Sequence, residues 1–460
     1  MVIEKDSPII KKKKKKARDH SIKEGIFASA NSAFGNNYIS PFAIAINASN
    51  PLIALLSSVS GLLGPISQLA SPKLLKNNSR KKVLSRAMLI EAIIWIPFIA
   101  TAILFYKGIL VGYLPYILLF FFAISTIALN VGIPAWYSWI GDIVDDRHRG
   151  RWFAKRNLLL GFVTVVLAIS ASFFLDYLKS KELAMFGFAT LFFLALIFRI
   201  LSYKAIRKQY EPELKRKKKK ESSFFKFVKN TPKTNFGKFT IFRASFALVA
   251  SISGPFLAVY LLRYLEFSYP TYMIVIMSST IFSLFVIELW GKFADKYGNY
   301  RTLLLTSIIT PTVPILWILV PSPIYMILVP AVISGVGWAG FNLAATNFFY
   351  DNISAEKRSR EISYYNLLIG IGIFLGASLG ALLIKILNTT WIEPIILIFI
   401  IGSILRMTVV FIFLPKIKEV RKTQKFNSKR VLKHMLLKEA KPTISEEVHE
   451  IMSIRKYLEV

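Results

Sequence analysis

The chain contains no cysteine, which excludes disulfides, thiol redox chemistry and thiolate-bound metal. Histidine is almost as scarce: four scattered residues, three of them in polar tails, give no metal-ligand spacing. No Gly-x-x-x-x-Gly-Lys-Ser/Thr run is present, so the sequence offers no phosphate-binding loop for ATP. No carboxylate pair, metal set or nucleophile–base arrangement falls at one depth, so neither an enzyme, a metal site nor a cofactor is expected. Acidic residues are few, 26 against 59 Lys and Arg, a net charge of +33. The runs Lys11–Lys16 and Lys215–Lys220 lack interleaved aromatics and any recognisable nucleic-acid module, so nucleic acid is not expected as a partner.

What is abundant is apolar. Hydrophobic residues make up 54% and charged residues 18%, a balance a water-soluble chain of 460 residues could not hide. Many windows of about 20 residues are nearly free of charge, enough to cross a bilayer as helix. Their length and lack of alternation select helices over a barrel. Twelve spans are predicted: 24–47, 50–71, 84–106, 112–140, 156–178, 183–206, 238–262, 269–290, 302–321, 323–348, 363–386 and 393–415. The expected fold is all-α and polytopic. It has a basic tail (1–23), a six-helix half (24–206), a basic linker (207–237), a second six-helix half (238–416) and a basic tail (417–460).

The halves share sequence. Asp142, Arg149, Arg151, Asn157 and Leu158–Gly161 return 209 residues later as Asp351, Arg358, Arg360, Asn366 and Leu367–Gly370, and Pro41-Phe42 is echoed by Pro255-Phe256. An even number of spans per half makes the repeats parallel. The cations crowd one side, in the tails, the linker and the loops near 71–86, 142–156, 291–301 and 357–360. The other side carries Lys107, Lys179, Lys181 and Arg263. This asymmetry predicts cytoplasmic termini in a plasma-membrane protein, with anionic lipid against the basic face. A monomeric chain is expected.

The loop after the eighth span reads Gly291-Lys-Phe-Ala-Asp295-Lys-Tyr-Gly298-Asn-Tyr-Arg301. Together with the six-plus-six layout it resembles the major facilitator superfamily, whose signature between the second and third helix of a half has Gly, Asp, Gly and Arg at this spacing. The resemblance covers about residues 22–416. It implies a cytoplasmic gate: Asp295 reaching the start of the eleventh span near Glu361–Tyr365, Arg301 pairing with Asp351 or Glu361, and Gly291 and Gly298 allowing close helix ends. Arg149, Arg151, Arg358 and Arg360 join the gate through the repeat. The first half departs from the pattern, since aligning Arg80 with Arg301 puts Leu74, Ala70 and Asn77 at the other signature positions. Asp142 is then the expected partner of Arg80.

The same resemblance places a solute cavity along the first, fourth, seventh and tenth spans. Polar candidates there are Ser29, Ser32, Asn36 and Ser40; Asn130 and Tyr137; Ser253 and Tyr260; and Trp338, Asn342 and Thr346. Interhelical hydrogen bonding is the competing explanation for each. Glu24 and Glu91 are candidate coupling carboxylates, with an ion pair as the other reading of Glu91. Arg199 and Arg406 occupy matching places in the sixth and twelfth spans, snorkelling or pairing toward the cytoplasm, and Arg243 is placed to pair with Glu288. The scarcity of midplane charge favours a neutral polar or amphipathic organic solute. The expected function is a secondary transporter working by alternating access. The alternative is a non-transporting scaffold or sensor that binds partners through its basic tails.

Overall fold

A computed structural model describes residues 7–144, 149–213, 224–353, 355–387, 391–421 and 423. Among them every regular element is helical. Eleven segments are long and apolar enough to cross a membrane, from Asn50–Asn77 to Pro394–Lys416. All overlap the predicted spans 2–12.

The first predicted span is interrupted. Helix α1 (Pro8–Phe34) gives way to a 3-10 turn at Asn36–Tyr38, and α2 (Ile39–Ala45) resumes. Gly35, Asn36 and Asn37 form a local turn signal that breaks the helical ladder. In the other direction α1 starts at Pro8, capped by the Ser7 side chain, so the boundary predicted at 23/24 is no break. The lysine run is helical, and Ala17 and Ser21 are buried.

Then follow α3 (Asn50–Asn77), α4 (Arg80–Tyr106), α5 (Leu114–Ile143), α6 (Arg149–Ser180) and α7 (Ala184–Lys208). On α4, Leu89, Ile90, Ile93 and Ile96 are exposed while Glu91 is buried, an apolar outer face with a polar group turned inward. After a short α8 (Phe224–Asn230), α9 (Asn235–Ser253) breaks at Gly254-Pro255. It continues as α10 (Phe256–Val259) and a π-turn, Tyr260–Tyr264. Pro255 supplies no N–H to the ladder, which accounts for the break. The second half continues with α11 (Tyr269–Tyr297), α12 (Asn299–Ile309), α13 (Val313–Leu319), α14 (Pro323–Leu328), α15 (Pro330–Asn352), α16 (Ala355–Ile386) and α17 (Pro394–Phe413).

The chain divides into two compact units, Met1–Leu52 with Leu63–Lys220 and Ile53–Leu62 with Glu221–Val460. In the second, α9 and α16 pack backbone to backbone. A Cβ on Gly372, Gly376 or Gly380 would lie 2.4, 1.9 or 2.3 Å from the carbonyl oxygens of Ala244, Leu248 and Ile252. Steps of four residues on both helices keep the small positions in register, as membrane helix pairs require.

Candidate functional site

At the basic end of the first half, Arg80 opens α4 and is fully buried. Its Nη1 lies 2.5 Å from Asp142 Oδ2 at the end of α5 and also donates to the Ser138 carbonyl. Its Nη2 donates to the Pro212 carbonyl at 2.6 Å. Glu211 Oε1 accepts from the Arg80 backbone N–H at 2.8 Å, and Trp139 Nε1 donates to the Tyr210 carbonyl. The segment just after α7 therefore ties down the adjoining ends of α4 and α5. A carboxylate at a helix N-terminus also meets the positive end of the helix dipole.

The second half builds the same contact from different residues. Asp351, the repeat partner of Asp142, accepts from Arg421 Nε at 2.8 Å and from Asn299 Nδ2 at 2.6 Å. Arg421 Nη1 lies 3.4 Å from Asp295 Oδ1. The hydrogen bond to Asp351 holds the Arg421 guanidinium above its ordinary pKa. Glu419 Oε2 accepts from the Tyr300 backbone N–H at 2.7 Å, matching Glu211 in the first half. Asn235 exchanges two bonds with the Lys418 backbone. Gly298 leaves room for this: its φ is +97°, and a Cβ there would lie 2.3 Å from Glu419 Oε2.

Asp351 meets Arg421 from beyond the last span, with Asn299 beside it. Asp295 meets that same Arg421. A Cβ added at Gly291 would meet nothing within 4 Å, so close helix approach does not explain this glycine. The side chains of Arg149, Arg151, Arg358 and Arg360, the Lys215–Lys220 run and the tail from 424 lie outside the described residues.

Deeper in the first half, charge is balanced. Glu24 lies 3.3 Å from Arg156 Nη2 and accepts from Ser202 Oγ at 3.1 Å. Glu91 is hydrogen-bonded by Arg199. All four charged side chains are buried, and each carboxylate has its own guanidinium. The second half differs. Arg406, the counterpart of Arg199, does not snorkel: it is 5% exposed and donates to Ala250 O and Ser253 Oγ. Arg243 and Glu288 do not pair. Glu288 meets Lys292 at 3.2 Å, while Arg243 donates to Tyr365 Oη at 3.1 Å and lies over the Phe341 ring.

The polar candidates separate by environment. Asn36, Tyr137, Asn342 and Thr346 are exposed; Ser32, Ser40 and Trp338 are half-buried. Asn130 is partnered, accepting from Gln68 Nε2 at 3.0 Å and donating to the Thr126 carbonyl. Ser253 is buried beneath Arg406, and Tyr260 is buried against Tyr264 and Phe399. Both are accounted for by packing inside their own half.

The sequence model of the Major Facilitator Superfamily matches residues 25–252 and again 239–448. The chain belongs to the Major Facilitator Superfamily. Among solved structures, a mutant of the nucleoside transporter NupG is similar with a TM-score of 0.66 and 14% identity, covering 87% of this chain and 100% of that one. A bacterial homologue of the iron transporter ferroportin, in an inward-facing state, gives 0.63 and 15%, covering 87% and 98%. A D-xylose–proton symporter gives 0.62 and 14%, covering 91% and 100%. At these identities the likeness is one of fold. No curated protein matches the chain by sequence.

As a superfamily member the chain is a multi-pass membrane transporter with two six-helix repeats, not an enzyme. Reading the sequence for charged spans and the signature loop missed Glu211, Glu419 and Arg421, which sit in segments read as linker and tail. The signal that could have found them is a further echo: Glu211 and Glu419 each stand three residues beyond the last helical turn of their half, at Lys208 and Lys416. It also missed Gln68, Tyr365 and Phe341, which have no local signature and are brought to Asn130 and Arg243 by packing alone.

Proposed function

We propose that this chain is a secondary active transporter that carries a small organic solute across the plasma membrane by alternating access. The observation carrying the reading is that the first and seventh spans are both interrupted, at Asn36–Tyr38 and at Gly254-Pro255, each close to the Pro-Phe pair that the halves share. Matched interruptions in the two repeats are the best pointer to a solute site, because they free backbone groups where a ligand can use them. Asn342 and Thr346 add an exposed amide and hydroxyl on a segment of membrane-spanning length, and Asn36 adds an exposed amide at the interruption of the first span. Such groups are costly against lipid and favourable against a wet cavity. Ser32, Ser40, Asn130, Tyr137 and Trp338 complete the proposed lining for a polar or amphipathic molecule.

The halves 24–206 and 238–416 are the proposed moving bodies, with termini and linker in the cytoplasm and the basic face on anionic lipid. The Arg80–Asp142–Glu211 and Arg421–Asp351–Asp295 clusters are the proposed cytoplasmic fastenings. Paired as they are with arginines, Glu24 and Glu91 act in this reading as fixed structural charges rather than proton carriers. Counterflow of radiolabelled nucleosides, sugars, amino acids and organic acids into proteoliposomes tests the proposal. Accumulation of one class, reduced in Asn36→Ala and Asn342→Ala, supports it. A folded protein that exchanges none of them would favour the scaffold reading.

A further inference from the structure

The membrane-embedded charges of the two halves do not match. The first half holds two buried carboxylates and two buried guanidinium groups, paired one to one. In the second half, Arg243 and Arg406 have no acidic partner among the described residues. Glu288, the carboxylate best placed in sequence to neutralise Arg243, is paired with Lys292. Uncompensated guanidinium inside a membrane protein is expensive, and it persists where it meets a counter-charge during function.

The two arginines are in different situations. Arg406 is buried and partly spent: its Nη2 donates to Ser253 Oγ and to Ala250 O, which also accepts from the Gly254 N–H at the end of α9, while its Nε has no partner among the described residues. Carbonyls at a helix C-terminus partly offset a cation, so Arg406 pins the interrupted helix. Arg243 is not spent. It is half-buried, its Nε is held by Tyr365 Oη at 3.1 Å, and its plane lies 4.5 Å from the Phe341 ring centroid. Its terminal nitrogens donate to no described protein group.

We infer that Arg243 is the docking group for the anionic end of the transported solute, a carboxylate or a phosphate. This rests on the transporter reading above and sharpens it, from an amphipathic solute to an organic anion. The guanidinium fork presents parallel N–H donors in the spacing that a carboxylate or phosphate accepts in pairs. Tyr365 and Phe341 keep the fork oriented, so little freedom is lost when the ligand arrives. The half-buried Trp338, 5.4 Å from Phe341 centroid to centroid, provides an aromatic wall for the apolar body of the solute.

The test compares benzoate, phenyl phosphate and the neutral isostere benzamide as thermal-shift ligands of the full-length purified protein. At least one anion is expected to raise Tm while benzamide does not. Arg243→Gln is expected to weaken that anion at least about tenfold, and Arg243→Lys to keep part of the effect as a point charge. Should Arg243→Gln not melt cooperatively, Tyr365→Phe decides, since freeing the fork should weaken the anion and leave the protein folded. Equal shifts from anion and amide, no shift from any of the three, or an anion shift untouched in these variants would overturn the assignment. Counterflow separates it from the broader proposal. Arg243-dependent anion binding without counterflow leaves the site standing and removes transport. Counterflow of a neutral solute indifferent to Arg243 keeps transport and removes the site.

Discussion

Arg80 and Arg421 deliver a guanidinium to equivalent aspartates, Asp142 and Asp351, yet one opens a helix and the other follows the last one. Asn299 stands at the helix start where Arg80 stands in the first half, and it reaches the same carboxylate with an amide. The charge lost at that position is supplied from Arg421. Burial decides what each is worth. Arg80 is fully buried between Asp142 and Glu211, so Arg80→Ala should cost about 3 kcal/mol by leaving these acids and the Pro212 carbonyl without their donor. Arg421 is 38% exposed, so Arg421→Ala should cost about 1 kcal/mol or less. Thermal melts of the two variants in one detergent check the order, and an equal loss would contradict it. The Arg80–Asp142 pair was legible beforehand because the repeat and the charge pattern both pointed to it. Arg421 was not, because nothing local distinguishes it from the other cations of the tail.

Between elements, small residues decide how closely helices approach. Gly376→Ala places a Cβ 1.9 Å from the Leu248 carbonyl, in an interface of two rigid backbones, and should destabilise by about 1–3 kcal/mol. Gly298→Ala combines a φ of +97° with a clash against Glu419 and should be destabilising as well. Gly291→Ala is the control: it lies inside α11 with open space around it, and should be neutral or gain up to about 1 kcal/mol of helix stability. Melting temperatures of the three, ranked in that sense, test whether spacing rather than the signature pattern sets the tolerance. Eleven of the twelve spans could be read in advance because hydrophobic length is a property of consecutive residues. The interruption at Gly35–Tyr38 was only half legible: Gly35-Asn36-Asn37 is a turn signal, yet Asn36 also fits the polar stripe of an unbroken helix.

For the whole molecule, the segment 417–421 belongs to the second half rather than to a detachable tail. Lys418, Glu419 and Arg421 fasten it to Asn235, Tyr300, Asp351 and Asp295. Truncation after Thr423 should leave stability and counterflow unchanged. Truncation after Lys416 should lower stability by about 2–4 kcal/mol, the sum of several hydrogen bonds and a partly exposed ion pair, and should disturb transport. Melts and counterflow of both truncations check this; equal behaviour would show that the fastening does not matter. The absence of cysteine makes the chain a ready background for single-cysteine labelling of the released end.

Sequence by itself determined the helical class, the number and places of most spans, the duplication and the exclusion of thiol chemistry. These follow from composition and from patterns along consecutive residues, which each segment carries without reference to the others. Tertiary structure alone decided who pairs with whom. Glu211 reaches Arg80 across 131 residues, Asn235 reaches Lys418 across 183, and Arg243 is left facing Tyr365 and Phe341 instead of Glu288. Charged groups in an apolar interior act only over contact distances set by packing, and the same charges permit many pairings until the helices close around one of them.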